Sequence, residues 1–126
     1  MIKFVALLKK KDGMSREAFI EYYENHHVPL IQECIPSILE YRRSYVMPEH
    51  MFVAGHNVEV APPPPPFDAI TELWFSDMGK YQEMYAATAD PAVGGRIMHD
   101  EENFLDRSQM TMFLVEERIS GDKQSE

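Results

Sequence analysis

The chain has one cysteine, Cys34, in 126 residues. An intramolecular disulfide is impossible and a cysteine-rich zinc site is excluded. Positive charge is scarce as well. Twelve Lys and Arg stand against 21 Asp and Glu, a formal charge of −9, and no long basic run offsets it. Such a surface repels phosphate backbones and anionic bilayers, so neither nucleic acid nor membrane is expected as a partner. No apolar stretch reaches the roughly 18 residues that a spanning helix needs. The short apolar run at the start is bounded by Lys3 and by Lys9, Lys10 and Lys11. No small-residue cleavage site follows it, which reads as a strand rather than a signal peptide. A soluble, cytoplasmic protein is expected. GxGxxG, P-loop and GxSxG patterns are missing, so nucleotide cofactors and serine-hydrolase chemistry have no support.

What the chain does have is 44% apolar residues, enough for one compact core. A single domain over residues 1–119 is expected, with a polar tail at 120–126. Alternation of Ile2, Phe4, Ala6 and Leu8 with Lys3, Val5, Leu7 and Lys9 predicts a first strand, apolar on both sides in its middle and covered on both faces. Ser15 is placed to cap a helix beginning at about Arg16, with Glu17 favourable to its dipole. In that helix Phe19, Tyr22, Tyr23, His26 and Leu30 form one face, and Arg16, Glu17, Glu21 and Glu24 the other. Pro29 predicts a kink or stop near His27, with a short helical piece resuming at 30–34. A second strand is expected at 38–47. Residues 48–67 read as a long connection with five consecutive prolines, extended in conformation, and a small hairpin is expected at 51–60. A third strand, 68–75, ends at Ser76. Ser76 or Asp77 caps a helix whose apolar face holds Met78, Tyr81, Met84 and Tyr85. Asp90 followed by Pro91 starts another, and alternation from Arg107 onward gives a fourth strand. With right-handed crossovers this order yields an α+β, ferredoxin-like four-stranded antiparallel sheet with helices on one face. The other sheet face, with Phe113, Val115, Tyr41 and Tyr45 as candidates, is too apolar for water, and a homodimer is expected to cover it.

The densest chemistry lies at the end of the first helix. A histidine can act as general acid, general base or anchor for a carboxylate, and His26 and His27 stand there side by side. Consecutive helical residues point about 100° apart, so one of the two enters a given pocket; equally, both could simply cap helix carbonyls. In the cluster His99, Asp100, Glu101, Glu102, a carboxylate could hold a histidine tautomer, although Glu101 and Glu102 read as a solvated helix face. Tyr22, Tyr23, Trp74, Tyr81 and Phe104 could line a pocket for a flat ring, or could be ordinary core. His50, His56 and His99 show no ligand spacing, so no metal is expected.

Two stretches resemble a known family. The opening strand, Ser15 to Tyr23 and His27, Val28, Pro29, Leu30 are similar to the first signature of EthD-domain proteins. Asp100, Glu101, Glu102, Asn103, Phe104, Leu105, Asp106 is similar to their second. The resemblance implies a dimeric α+β barrel and relatives of diverse activity: proteins accompanying ether-degrading oxygenases, fungal decarboxylases of polyketide-derived aromatic acids, and, more widely, cofactor-free monooxygenases and cyclases. In the decarboxylase-like relatives a histidine stands at the position of Glu101; here the nearest histidine is His99.

The resulting expectation is a cofactor-free enzyme of lyase type, acting by proton transfer on a hydrophobic ring-bearing acid. His27 and Asp100 would be catalytic, and Tyr23, His26, Trp74, Tyr81, His99 and Phe104 would bind substrate. The alternatives are a non-catalytic dimer that binds a hydrophobic metabolite and a cofactor-free monooxygenase.

Overall fold

In the computed structural model, residues 1–51 and 64–121 are described. Strands β1 (Ile2–Leu8), β2 (Glu40–Tyr45), β3 (Ala69–Phe75) and β4 (Thr111–Val115) form one antiparallel sheet in the order β2-β3-β1-β4. This is the ferredoxin-like arrangement that the element order predicts. β1 is central, as its two-sided apolar middle requires. β4 is an edge strand shorter than the alternation suggests, because Arg107–Gln109 closes into a 3-10 turn first.

Register decides which residues share a face. Opposed residues across antiparallel strands point the same way, so Phe4, Ala6 and Leu8 face the same side as Leu73, Thr71 and Ala69. That is the helix side. Tyr41, Arg43 and Tyr45 join them, opposite Leu73, Thr71 and Ala69. Tyr41 and Tyr45 therefore pack under the helices, and the expectation that they cover the outer face is corrected. The outer face carries Val5, Leu7, Ile70, Trp74, Phe113 and Val115 together with Lys3 and Glu72.

Helix α1 (Arg16–Tyr22) starts where Ser15 accepts a hydrogen bond from the Ala18 amide. The chain does not stop at His27. It widens into a single π-helical stretch, Tyr23–His27, in which the Val28 amide reaches the Tyr23 carbonyl five residues back, and it continues directly as α2 (Val28–Cys34). Pro29 sits in the first turn of α2, where its missing N–H costs least. α3 (Met78–Ala89) is capped by Asp77 and α4 (Pro91–Glu101) by Asp90. α3 and α4 pack so closely that a Cβ on Gly94 would lie 2.2 Å from the Thr88 carbonyl oxygen. Only glycine fits that crossing.

Two apolar clusters form the core. One joins Leu8, Phe19, Tyr23, Ala69 and Phe104; the other joins Ile31, Leu73, Phe75, Met84 and Ile97. Met78 and Tyr85, expected on the buried face of α3, are exposed. The hairpin expected at 51–60 and His56 lie outside the described residues, apart from Met51. No helix among the described residues is long and apolar enough to cross a membrane.

Candidate active site

Between the two clusters lies a cavity of about 760 Å³. Its walls are mostly aliphatic and aromatic, with Phe4, Ile31, Leu73, Tyr81, Met84 and Ile97 among them. Polar side chains on its wall include His27 and Tyr23 on the π-helical stretch, Thr71 on β3, Tyr41 on β2, Glu101 at the end of α4 and Arg107 beyond it; Tyr81, Tyr85, Thr88 and Asp90 add polar groups along α3 and its junction with α4.

His27 is 5% exposed. Its Nδ1 lies 2.8 Å from Asp100 Oδ2, while Tyr22 donates its hydroxyl to the other oxygen, Oδ1, at 2.6 Å. Asn103 in turn donates to the Tyr22 hydroxyl at 2.8 Å. Burial favours the neutral acid at Asp100, but the hydrogen bonds from Tyr22 and His27 outweigh it and hold the carboxyl below the usual range. Burial, and then the bond to Asp100, pushes the Tyr22 phenol up, so it stays a donor. An ionised carboxylate only accepts. His27 Nδ1 must therefore carry the proton, and Nε2 presents its lone pair on the other side of the ring. The only charged group near Nε2 among the described residues is Glu101, whose Oε2 stands 4.0 Å away. Arg107 donates from Nε to the other Glu101 oxygen at 2.9 Å.

Asp100 and Glu101 sit in the last turn of α4, where the helix dipole disfavours negative charge. His27 and Arg107 compensate for that placement. An acidic run against the dipole was a legible signal for Glu101, which reads from sequence as a solvated residue but is largely buried at the cavity. Arg107, Thr71 and Tyr41 carried no such signal; tertiary contact alone brings them in.

A second polar group lies deeper. Tyr23 and Thr71 share a short hydrogen bond between their hydroxyls, and Tyr41 donates to the Tyr23 hydroxyl at 3.0 Å. Behind it Arg43 holds Glu24 with two bonds, at 3.0 and 2.6 Å. Those bonds draw the Glu24 carboxyl down. Glu24 is thus half of a part-buried ion pair at the edge of the solvated face expected of it.

Among the residues expected at the site, His27, Asp100, Tyr23 and Tyr81 come together. Tyr81 lines the cavity and packs on Phe4, ring centres 6.4 Å apart. Four need correction. Trp74 points to the outer face of the sheet, between Lys3 and Arg42, each within 5 Å of its ring (4.7 and 4.9 Å); strand alternation puts it opposite Leu73. His26 is exposed and stacks on Tyr22 at 4.6 Å, turned away because consecutive helical residues diverge. His99 is also exposed, 3.9 Å from Glu102 on its own helix. Phe104 is fully buried and does not line the cavity; it backs the His27 ring at 4.9 Å and packs against Tyr23 at 5.3 Å. Among the described residues no three His, Cys, Asp or Glu side chains gather into a metal-binding group.

Fold and site together define a ferredoxin-like α+β protein with a histidine–carboxylate pair in an apolar cavity under its helices. The EthD domain model matches residues 11–108, a span that contains the whole His27–Asp100 arrangement, and the chain belongs to the EthD family. Solved structures agree on the fold. An EthD family protein of Bacillus halodurans is 20% identical, with TM-score 0.60 and coverage of 94% of this chain and 99% of its own. An EthD-like protein of Ralstonia eutropha is 17% identical, with TM-score 0.62 over 99% of this chain and 96% of its own. A dimeric ferredoxin-like protein of unknown function from Thermobifida fusca is 11% identical, with TM-score 0.51 over 90% and 88%. No curated protein matches the chain.

Proposed function

We propose that this protein is a cofactor-free enzyme of lyase type that moves a proton on a hydrophobic, ring-bearing acid. The observation that carries the reading is the hold of Asp100 on His27 Nδ1 at 2.8 Å, which leaves Nε2 as the free base at a largely apolar cavity. Nε2 takes a proton from an acidic C–H or O–H of the ligand, and the electron pair stays on the ligand. Asp100 balances the imidazolium so formed. In a dehydration the departing hydroxide takes up that proton and leaves as water; in a decarboxylation the same imidazolium protonates the carbanion left by carbon dioxide. Tyr81 and Phe4 offer ring faces for a flat substrate.

The protein acts as a homodimer in this reading. On the outer sheet face Phe113 and Val115 of β4 are 40% and 37% exposed, beside Leu7, Ile70 and Trp74. A contiguous apolar strip on a sheet face is a burial surface, and the Thermobifida fusca relative is described as dimeric.

Incubation with a panel of aromatic and polyketide-like acids, followed by mass spectrometry for loss of carbon dioxide or water, tests the reaction. His27→Gln is expected to slow product formation by roughly 10² to 10⁴, the usual share of a positioned acid or base. An effect under about threefold would make His27 a bystander. The apolar lining also suits a second reading, a binding protein that holds a hydrophobic metabolite without turning it over. That reading predicts saturable binding with no product after prolonged incubation.

A further inference from the structure

Three hydroxyls meet at the wall of the cavity, and a count of their protons leaves one over. Tyr41 donates to Tyr23, and a second bond joins Tyr23 to Thr71 in whichever direction it runs. Three O–H groups thus make two mutual bonds. Each hydroxyl brings one donor proton, so one O–H is left without an acceptor among the described residues. If Tyr23 donates to Thr71, the free proton is on Thr71; if Thr71 donates to Tyr23, it is on Tyr23. Both residues line the cavity and are 5% and 1% exposed, so the free O–H turns to whatever the cavity holds. A buried donor left unpaired is costly.

We propose that the Tyr41–Tyr23–Thr71 relay presents this O–H to the ligand and holds a carbonyl or enolate oxygen of it. The inference rests on the reading of the cavity as a ligand site and adds a substrate class: a ring-bearing compound with an oxygen acceptor on the side of the ring that faces β3. The Tyr23 and His27 rings are 5.7 Å apart. One ligand can therefore place its oxygen at the relay and its acidic proton at Nε2. Charge left on that oxygen by proton removal is then met by a donor already in position. Burial pushes the Tyr23 and Tyr41 phenols up, which keeps both protonated.

Two matched probes test this in the whole protein: acetylnaphthalene, which carries a ketone oxygen, and isopropylnaphthalene, which has the same shape without it. The wild type is expected to bind the ketone tighter by roughly three- to tenfold, the range of one net hydrogen bond, and to lower the ketone's carbonyl stretching frequency in the infrared. Thr71→Val alone leaves one donor proton on Tyr23, so preference and shift are expected to persist. The triple variant Tyr23→Phe, Tyr41→Phe, Thr71→Val removes all three protons with little change of shape. It is expected to bind both probes alike and to lose the frequency shift. His27→Gln is expected to keep the preference, which separates this inference from the catalytic one. Equal binding of the two probes by the wild type, or a preference that survives in the triple variant, overturns the relay while the cavity stands. Failure of both probes to bind the wild type overturns both the relay and the cavity reading. Should the triple variant not fold, the wild-type comparison decides.

Discussion

Replacing Asp100 by asparagine tests the tautomer on which the chemistry depends. The carboxylate accepts two bonds at once, from Tyr22 at 2.6 Å and from His27 at 2.8 Å. An amide offers one acceptor and one donor in the same space. Tyr22 can adapt, since its oxygen already accepts from Asn103 and has a second lone pair. The amide oxygen then faces His27 and its nitrogen faces Tyr22, so both contacts survive without charge. Charge-assisted bonds contribute about 1.5–3 kcal/mol and neutral ones about 0.5–1.5, so the two exchanges together cost about 2–3 kcal/mol. Urea unfolding at neutral pH measures this as a lower midpoint at unchanged slope. The sign of the pH dependence follows from the depressed Asp100 carboxyl. Its stabilisation is fully present above the unfolded carboxylate pKa of about 3.9 and is lost as pH falls through the lower folded value. The gap between wild type and Asp100→Asn therefore closes in acid. Nitrogen chemical shifts of the imidazole report the tautomer directly. Wild-type His27 is expected to be protonated at Nδ1, and the variant to keep that form, since the amide oxygen still accepts there. A wild-type ring protonated only at Nε2, or an equal midpoint for the two proteins, would refute the reasoning.

Further expectations follow from other parts of the structure. Gly94→Ala should destabilise the protein by several kcal/mol in thermal unfolding, because the new methyl meets the Thr88 carbonyl at 2.2 Å, whereas Gly95→Ala, with nothing within 4 Å, should raise stability by about 0.5–1 kcal/mol through helix propensity. Light scattering at micromolar concentration should give a dimer. Phe113→Asp should shift it to monomer; a wild-type monomer would contradict the argument from the outer face. Trp74→Phe should leave probe affinity in the cavity unchanged, since the indole lies on the opposite side of the sheet between Lys3 and Arg42; a several-fold loss would refute that placement.

Periodicity alone was sufficient for the element order and hence for the sheet. Strand β3 shows why: its alternation has Ala69, Thr71, Leu73 and Phe75 buried and Ile70, Glu72 and Trp74 less so. The same alternation does not say which face meets the helices, because both are apolar enough to be buried. Only strand register decides which side of the sheet Tyr41, Tyr45 and Trp74 take. The break at Pro29 was equally legible as chemistry, a missing N–H. Its outcome was not, since packing of Tyr23 and His27 into the core favours a π-helical widening over a stop.

By itself the sequence determined the fold class and the family signatures, and it singled out His27 as a candidate. It could do so because hydrophobic period, capping residues and proline act within a few residues of themselves. The partnership of His27 with Asp100, 73 positions apart, was only named there. The burial of Glu101 beside them, the relay of Tyr41, Tyr23 and Thr71, and the turning away of His26 and His99 were decided by the tertiary structure. Each depends on where a helix end meets a strand, which no local pattern encodes.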